Sequence, residues 1–126
     1  QEFGCHVLDE EKLVEKLEPI LKRGKQRNVI ECIHGDLIPH ELVDLIFVCR
    51  ADNTKVYDRL KERGYSELKI SNNVEAEIFQ TILDEVRENF PDKSIHELVN
   101  NELGDLESNA ETFIEKIRVR LNYCNK

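Results

Sequence analysis

The chain has 126 residues, of which 40% are hydrophobic and 35% are charged, and these values fit one compact globular domain. A net charge of −8 argues against autonomous nucleic-acid binding, which depends on Lys and Arg side chains that neutralise phosphates. No run approaches the roughly 18 consecutive apolar residues of a membrane span, and four cysteines without a C-x-x-C pair are typical of a reducing cytosol or nucleus.

The first predicted helix follows Asp9, which is expected to cap it, while Glu10 and Glu11 complement the helix dipole. Because an interior proline removes a backbone hydrogen bond, Pro19 predicts a kink or a break near Glu18. The apolar residues expected on the inner face of this helix are Leu13, Leu17, Ile20 and Leu21.

Two apolar strands are expected next, at residues 28–33 and at Leu45–Cys49. The second is a continuous apolar run of the kind that is buried on both faces of a parallel sheet. Cys32 and Cys49 lie inside these runs and should pack as small hydrophobic residues. Arg50 follows the second strand, at the edge where ligands collect in open α/β sheets.

A helix capped by Asp52 or Asn53 is predicted after Arg50, and Gly64 supplies its left-handed stop. A charged elbow follows, which we expect to be mobile. From Asn73 or the residue before it, a longer helix is predicted with the apolar stripe Val74, Ile78, Phe79, Ile82, Leu83 and Val86.

The last predicted element is an amphipathic helix capped near Ser108 or Asn109. Its ordinary role would be to pack against the sheet. The apolar positions that mark it are Ala110, Phe113, Ile114, Ile117 and Leu121.

The stretch from Leu45 to Phe79 carries several short motifs in a fixed order and without a gap. They are Arg50-Ala51-Asp52-Asn53, Tyr57-Asp58-Arg59-Leu60, Arg63-Gly64-Tyr65, Lys69, Asn73 and Glu75-Ala76-Glu77-Ile78-Phe79. This order resembles the lid region of the adenylate kinase isoenzyme 6 family, nuclear P-loop kinases and ATPases linked to small ribosomal subunit maturation. Residues 5–17 and 94–98 are similar to further family segments, the second to its last strand, so the resemblance covers nearly the whole chain.

The resemblance implies an α/β fold, a three-layer parallel sheet of the P-loop nucleoside-monophosphate kinase type. It implies one domain over residues 1–126 with a lid at 62–72, and transfer of a phosphoryl group from ATP to AMP or a similar nucleoside monophosphate with the help of magnesium. It further implies ATPase activity, a role in 18S rRNA maturation, location in the nucleus and cytoplasm, and a basic small-subunit ribosomal protein as partner.

The phosphate-binding loop of that family, G-x-x-x-x-G-K-[ST], is absent from this sequence. The sole Gly-Lys pair, Gly24-Lys25, has Pro19 where the first glycine belongs. In the family the P-loop strand lies between the strands expected at 28–33 and Leu45–Cys49, and its loss would leave backbone groups unpaired on both. We therefore expect the sheet to be incomplete and these 126 residues to be the carboxyl portion of a longer kinase core.

The resemblance also points to catalytic residues at the end of the strand expected at 28–33. The family presents Asp-x-His there, with the carboxylate positioning Mg²⁺ through water, and Glu31 takes that carboxylate position; no direct metal ligand is expected. Ile33 takes the histidine position, and His34 lies one residue late. Either the strand ends by Ile33 and His34 bends back toward the ligand edge, or His34 is a polar loop residue.

Four basic residues are candidates for binding the nucleotide. Arg63 is the lid candidate, because a planar guanidinium can clamp phosphate oxygens when a lid closes. Arg59 and Lys69 are supporting candidates. Arg50 either contacts phosphate or holds the strand end in place. The alternatives are a charge at a helix C-terminus for Arg63 and exposed ion pairs for Arg59 and Lys69.

Other interpretations remain open from the sequence. One is a catalytically silent interaction module that lacks the P-loop and acts through protein contacts, as a dimer or bound to a partner if the natural chain is short. Another is an unrelated α/β domain. The cysteine and histidine spacings fit no standard zinc motif.

Overall fold

Helices alternate with strands along the chain in the computed structural model, which describes residues 8–22 and 27–124. The elements are α1 (Glu10–Leu21), single-turn 3₁₀ helices at Gly35–Leu37 and His40–Leu42, β1 (Leu45–Arg50), α2 (Asn53–Glu62), α3 (Glu67–Ile78), α4 (Thr81–Asn89), β2 (Ser94–Val99) and α5 (Asp105–Cys124). Within these ranges, no helix combines the length and hydropathy that a membrane span requires.

The strands β1 and β2 pair in parallel, from Leu45 opposite Ser94 to Arg50 opposite Val99. Parallel neighbours need a long crossover, and here α2, α3 and α4 form it. The predicted α/β class with a parallel sheet is confirmed, and the last strand lies where the sequence placed it.

Helices cover both faces of this sheet, because successive side chains of a strand point to opposite faces. On one face, Val48 packs with Leu83 and Val86 of α4 and with Phe90. On the other face, the ring of Phe47 contacts that of Phe113 of α5, with 4.5 Å between the ring centroids. The result is the layered order expected of a P-loop kinase type, with its core between β1 and α4.

The helix α1 begins as predicted, since Asp9 Oδ1 accepts a hydrogen bond from the Lys12 backbone N–H at 3.2 Å. It continues through Pro19 to Leu21, so a break near Glu18 is wrong, and the kink that was the other expectation there stays a prediction. Pro19 lies in the last turn, where its missing N–H removes a single hydrogen bond. No residue of α1 is buried, so the apolar face predicted for it does not reach the core.

The strand predicted at 28–33 does not form. These residues are irregular, and the side chains of Val29 and Ile33 are 76% and 75% exposed. A strand is stable only when a neighbour pairs with its backbone groups, and within the described residues β1 and β2 pair with each other alone.

Both cysteines that were predicted to be buried are exposed. Cys32 lies in the irregular segment, and Cys49 lies on β1, where Val48 is the one buried residue. The strand β1 has a single described neighbour, β2, so it is less enclosed than a strand in the middle of a sheet.

The long helix predicted from about Asn73 is two helices. The first, α3, already begins after Ser66, whose side chain accepts from the Lys69 N–H. Gln80 has a left-handed backbone with φ of 55°, and it separates α3 from α4. The change of direction lets α4 bury Leu83 against the sheet, while Phe79 stays 68% exposed.

The helix α2 ends as predicted, with Gly64 in a left-handed conformation at φ of 73°. The last helix begins at Asp105 rather than near Ser108 or Asn109. The Asp105 side chain accepts hydrogen bonds from backbone N–H groups of the preceding turn, which attaches that turn to the start of α5.

Candidate functional site

An open depression of about 500 Å³ lies beside the carboxyl ends of the two parallel strands. One wall is α2 and the other is the turn that follows β2. Ligands of open α/β sheets bind at this edge, so it is the first place to look for a site. The lining residues are Lys55, Asp58, Arg59 and Glu62 of α2, and Asn100, Asn101, Glu102, Leu103 and Leu106 after β2.

The turn after β2 is held by hydrogen bonds from both sides. Arg59 Nη1 donates to the carbonyl oxygen of Asn100 at 2.7 Å, and Nη2 donates to that of Asn101 at 2.8 Å. Asp105 Oδ2 accepts from the backbone N–H groups of Asn101 and Glu102 at 2.8 and 2.9 Å. The backbone of this wall is therefore fixed before any ligand arrives.

Two further bonds attach the same turn to its surroundings. The Asp52 N–H donates to Asn101 Oδ1 at 2.7 Å, which links the turn to the start of α2. Asn109 Nδ2 donates to the carbonyl oxygen of Val99 at 2.7 Å, which links the end of β2 to α5. Three elements thus converge on residues 99–102.

Charges of both signs surround the depression. Lys55 Nζ lies 2.5 Å from Glu102 Oε1, and this hydrogen bond raises the pKa of Lys55. The backbone N–H of Glu102, followed by that of Asn101, lowers the pKa of Asp105. Lys55 and Asp105 therefore keep their charges at neutral pH.

Arg50 is engaged by two carboxylates at the end of β1. Its Nε donates to Glu77 Oε1 at 2.6 Å, and its Nη1 lies 3.3 Å from Glu97 Oε2. The Arg50 side chain is 18% exposed. In this structure it ties β1 to α3 and β2, and contact with a phosphate stays a prediction.

Arg63 lies at the start of the elbow between α2 and α3, Lys69 lies in the first turn of α3, and both are exposed. Arg63 is the C-cap residue of α2 and makes no side-chain hydrogen bond or ion pair with the described residues. Lys69 Nζ lies 4.2 Å from the centroid of the Tyr65 ring, a cation–π contact. Neither residue lines the depression, and their roles toward phosphate stay predictions.

Glu31 and His34 are both exposed in the segment that was expected to be a strand. Neither lines the depression. The described ranges contain no group of three or more His, Cys, Asp or Glu side chains placed to hold a metal ion. The roles of Glu31 toward magnesium and of His34 stay predictions. The Gly24-Lys25 pair lies outside them.

The sequence pointed to Arg59 but missed the turn that it holds. Lys55, Asn101 and Asp105 were not among the predicted site residues. A signal was present, since the run from Asn100 to Asp105 is rich in Asn, Gly and Asp directly after a strand, a pattern typical of a turn.

Comparison with known proteins supplies the family. The AAA domain model matches residues 1–80. Adenylate kinase isoenzyme 6 homologues from Caenorhabditis elegans and Drosophila melanogaster are 40% and 39% identical to the chain over 91% and 89% of its length. A Saccharomyces cerevisiae homologue is 34% identical over 86%. The chain spans 63%, 63% and 54% of these three proteins, less than two thirds of each.

Proposed function

The chain belongs to the AAA domain family and is a relative of adenylate kinase isoenzyme 6, and from this premise we propose that it forms part of a nucleoside-monophosphate kinase. The reaction would transfer the γ-phosphoryl group of ATP to AMP, which yields two ADP molecules, or to a similar monophosphate, which yields ADP and the corresponding diphosphate. In such transfers a protein acts chiefly by positioning the reactants and neutralising their charge.

The observation that carries the proposal is the pre-fixed turn at the carboxyl edge of the sheet. Its backbone is tied by Arg59 and Asp105, and it borders an open depression at the edge where α/β sheets bind ligands. A wall that is ordered in advance lowers the entropic cost of binding a nucleotide.

The elbow supports a role in closing over the phosphates. We assign residues 62–72 as the lid, with Arg63 as its phosphate clamp and Lys69 as a second cation. Arg63 is exposed and has no described side-chain partner to compete with phosphate oxygens. A guanidinium fork matches phosphate geometry better than an ammonium group does.

The wider role that we propose follows the family resemblance. It comprises ATPase activity beside the kinase activity, a part in small ribosomal subunit maturation, and location in the nucleus and cytoplasm. A net charge of −8 suits a basic protein partner, such as a small-subunit ribosomal protein.

The test uses the natural full-length protein with ATP, AMP and Mg²⁺, and measures ADP by chromatography. We expect two ADP for each AMP consumed. Arg63→Ala should reduce turnover strongly and leave the melting temperature almost unchanged, because the side chain is exposed and unbonded. Lys61→Ala, which removes another exposed cation of α2, is the matched control and should keep turnover. Absence of ATP binding would overturn the proposal, and normal turnover with a large loss of stability in Arg63→Ala would overturn that assignment.

A second candidate is an interaction module without catalysis, and exposed apolar side chains favour it. Among the described residues, Val29, Ile33, Leu103 and Leu106 are large apolar side chains that are 64 to 92% exposed. Clusters of such side chains are common in protein–protein contacts. A protein that covers them would be recovered with the chain. The module is supported if the natural protein binds such a partner and fails to bind ATP.

A further inference from the structure

We infer that Arg59 is a positioning residue, which acts on the nucleotide through the turn at residues 100–102 rather than by touching phosphate. The inference deepens the proposed function and rests on it. Sequence comparison alone suggested a phosphate contact, since Arg59 lies on the lid side of the chain. The geometry around its guanidinium points elsewhere.

The two terminal nitrogens of Arg59 are already in use. Each donates to a different backbone carbonyl, at 2.7 Å to Asn100 and at 2.8 Å to Asn101, and both bonds are partly buried. Each of these nitrogens keeps a second N–H and Nε keeps one, but the two bonds hold the guanidinium against the turn, and swinging it away toward a phosphate would leave both carbonyls without this partner. Leaving these partly buried carbonyl groups without a hydrogen bond costs free energy, and this cost opposes the movement of Arg59.

Arginine is suited to this pair of contacts. Its guanidinium is a planar fork with donors in fixed directions, and it matches two neighbouring acceptors at once. Lysine carries the same charge on one nitrogen with rotatable donors, so it lacks the fixed geometry that holds the two carbonyls in their relative orientation. The Arg59→Lys substitution therefore separates the role of the fork from the role of the charge.

The position of Arg59 on α2 connects the turn at residues 100–102 to the lid candidate. Asp52 at the start of α2 also binds the turn, through Asn101 Oδ1. At the other end, the backbone N–H of Arg63 donates to the carbonyl oxygen of Arg59 at 3.2 Å. The same helix therefore fixes the wall of the depression and carries the lid candidate at its last turn, so the wall and the lid share one rigid base.

The turn can be loosened from its opposite side without touching the depression. Asp105 accepts from the N–H groups of Asn101 and Glu102, and it is not among the lining residues. If Arg59 acts through the turn, Asp105→Ala should reproduce the effect of Arg59→Lys. If Arg59 is a phosphate ligand, the two variants should differ.

The experiment measures dissociation constants of the natural full-length protein for three probes: adenosine, ATP and inorganic tripolyphosphate. Hydrogen exchange of the Asn101 and Glu102 amides is followed in the absence of any probe. We expect Arg59→Lys to weaken the binding of adenosine and of ATP by the same factor, about tenfold. This factor corresponds to the loss of one net charge-assisted hydrogen bond. Tripolyphosphate affinity should not change, and both amides should exchange faster.

Arg59→Gln and Asp105→Ala should give this same pattern, so the result does not depend on one variant that folds poorly. Lys61→Gln removes one positive charge from the same helix, contacts only the Tyr57 side chain among the described residues, and should leave all three affinities unchanged.

A contrasting pattern overturns the inference. If Arg59→Lys weakens ATP and tripolyphosphate but spares adenosine and the two amides, Arg59 contacts phosphate directly. If the wild-type protein binds none of the three probes, the proposed function itself fails, and the role of Arg59 in nucleotide binding fails with it. The two failures are distinct, because the first requires wild-type binding and the second excludes it.

Discussion

The amino-terminal segment, here residues 8–22 and 27–34, and the sheet region, residues 45–124, have similar local sequence signals but very different packing. In the segment, α1 buries no residue and the apolar side chains of Val29 and Ile33 face solvent. In the sheet region, Val48 and Leu83 are 5% and 1% exposed within one core. Apolar periodicity is present in both, so it does not decide which of them forms a core.

The difference lies in whether a tertiary neighbour is available. The strand β1 pairs with β2 on one edge and packs against α4 on one face, and these contacts bury Val48 and partly bury Ile46. Residues 28–33 find no paired strand within the described part of the chain, and they stay irregular. Apolar runs become strands where hydrogen-bonded partners exist, because unpaired backbone groups are costly to bury.

The largest expected effect comes from truncating the core of the sheet region. Leu83→Ala should lower the free energy of unfolding by about 3 kcal/mol, because it opens a cavity at a fully buried site. The matched change in the amino-terminal segment, Ile33→Ala, should change it by less than about 0.5 kcal/mol, because that side chain is 75% exposed. Urea unfolding of the 126-residue chain measures both. Equal losses for the two variants would show that the segment packs as tightly as the core.

Glycine positions offer a second contrast. A Cβ at Gly35 would lie 2.6 Å from Cγ2 of Val86, a buried and conformationally stiff side chain. Gly35→Ala should therefore cost about 1 to 3 kcal/mol through overpacking. Gly104→Ala meets no atom within 4 Å and should be neutral or slightly stabilising. A stable Gly35→Ala protein would mean that the first 3₁₀ turn does not pack on α4 as described.

Two ion pairs within the sheet region should contribute differently to stability, because one is more buried than the other. Arg50→Ala leaves Glu77, which is 20% exposed, without its partner and should cost about 1 to 2 kcal/mol. Lys55→Ala removes a similarly short pair with Glu102, but Glu102 is 69% exposed, so the loss of stability should be much smaller than for Arg50→Ala. Thermal unfolding at low and high salt distinguishes them. A strong salt dependence for the Arg50 effect would argue that this pair is open to solvent.

The smallest expected effect is on the stability of the fold at acidic pH. Asp105 has a pKa below its ordinary value of 3.8, because backbone N–H groups donate to its carboxylate. Since the folded-state pKa is the lower one, Asp105 stabilises the fold above pH about 4 and loses that contribution as the pH falls through its folded pKa. Asp105→Asn should flatten the pH dependence of the free energy of unfolding below pH 4. Near pH 7 the slope of that dependence should change little. If the pH dependence of unfolding below pH 4 is unchanged in this variant, the Asp105 carboxylate does not accept the hydrogen bonds of the turn.

Sequence patterns were reliable where local chemistry determines an element. The Asp9 cap and the left-handed Gly64 were read correctly, since each depends on neighbours a few residues away. The break at Gln80 was missed because nothing in glutamine requires a left-handed backbone. It separates α3 from α4, and Leu83 of α4 packs in the core with Val48 of β1, a tertiary contact that the local sequence does not show.

The candidate site was predicted only in part, for a similar reason. Arg59 was identified from its motif, but its partners are backbone carbonyls 41 and 42 residues away, which no local pattern reveals. Asp105 had no predicted role, because the last helix was expected to begin near Ser108 or Asn109. The resemblance supplied the family, whereas the tertiary contacts supplied the turn that Arg59 holds.

The most direct test of the account is a titration of the isotopically labelled, natural full-length protein with ATP, followed by backbone and arginine side-chain NMR. We predict that the largest shift changes at low ATP include the amides of Asn101 and Glu102, while the Arg59 side-chain signals keep the shifts and slow exchange of a guanidinium bound to carbonyl groups. Shift changes that spare residues 100–106 and centre on the Arg59 guanidinium would contradict the claim that the fixed turn receives the nucleotide.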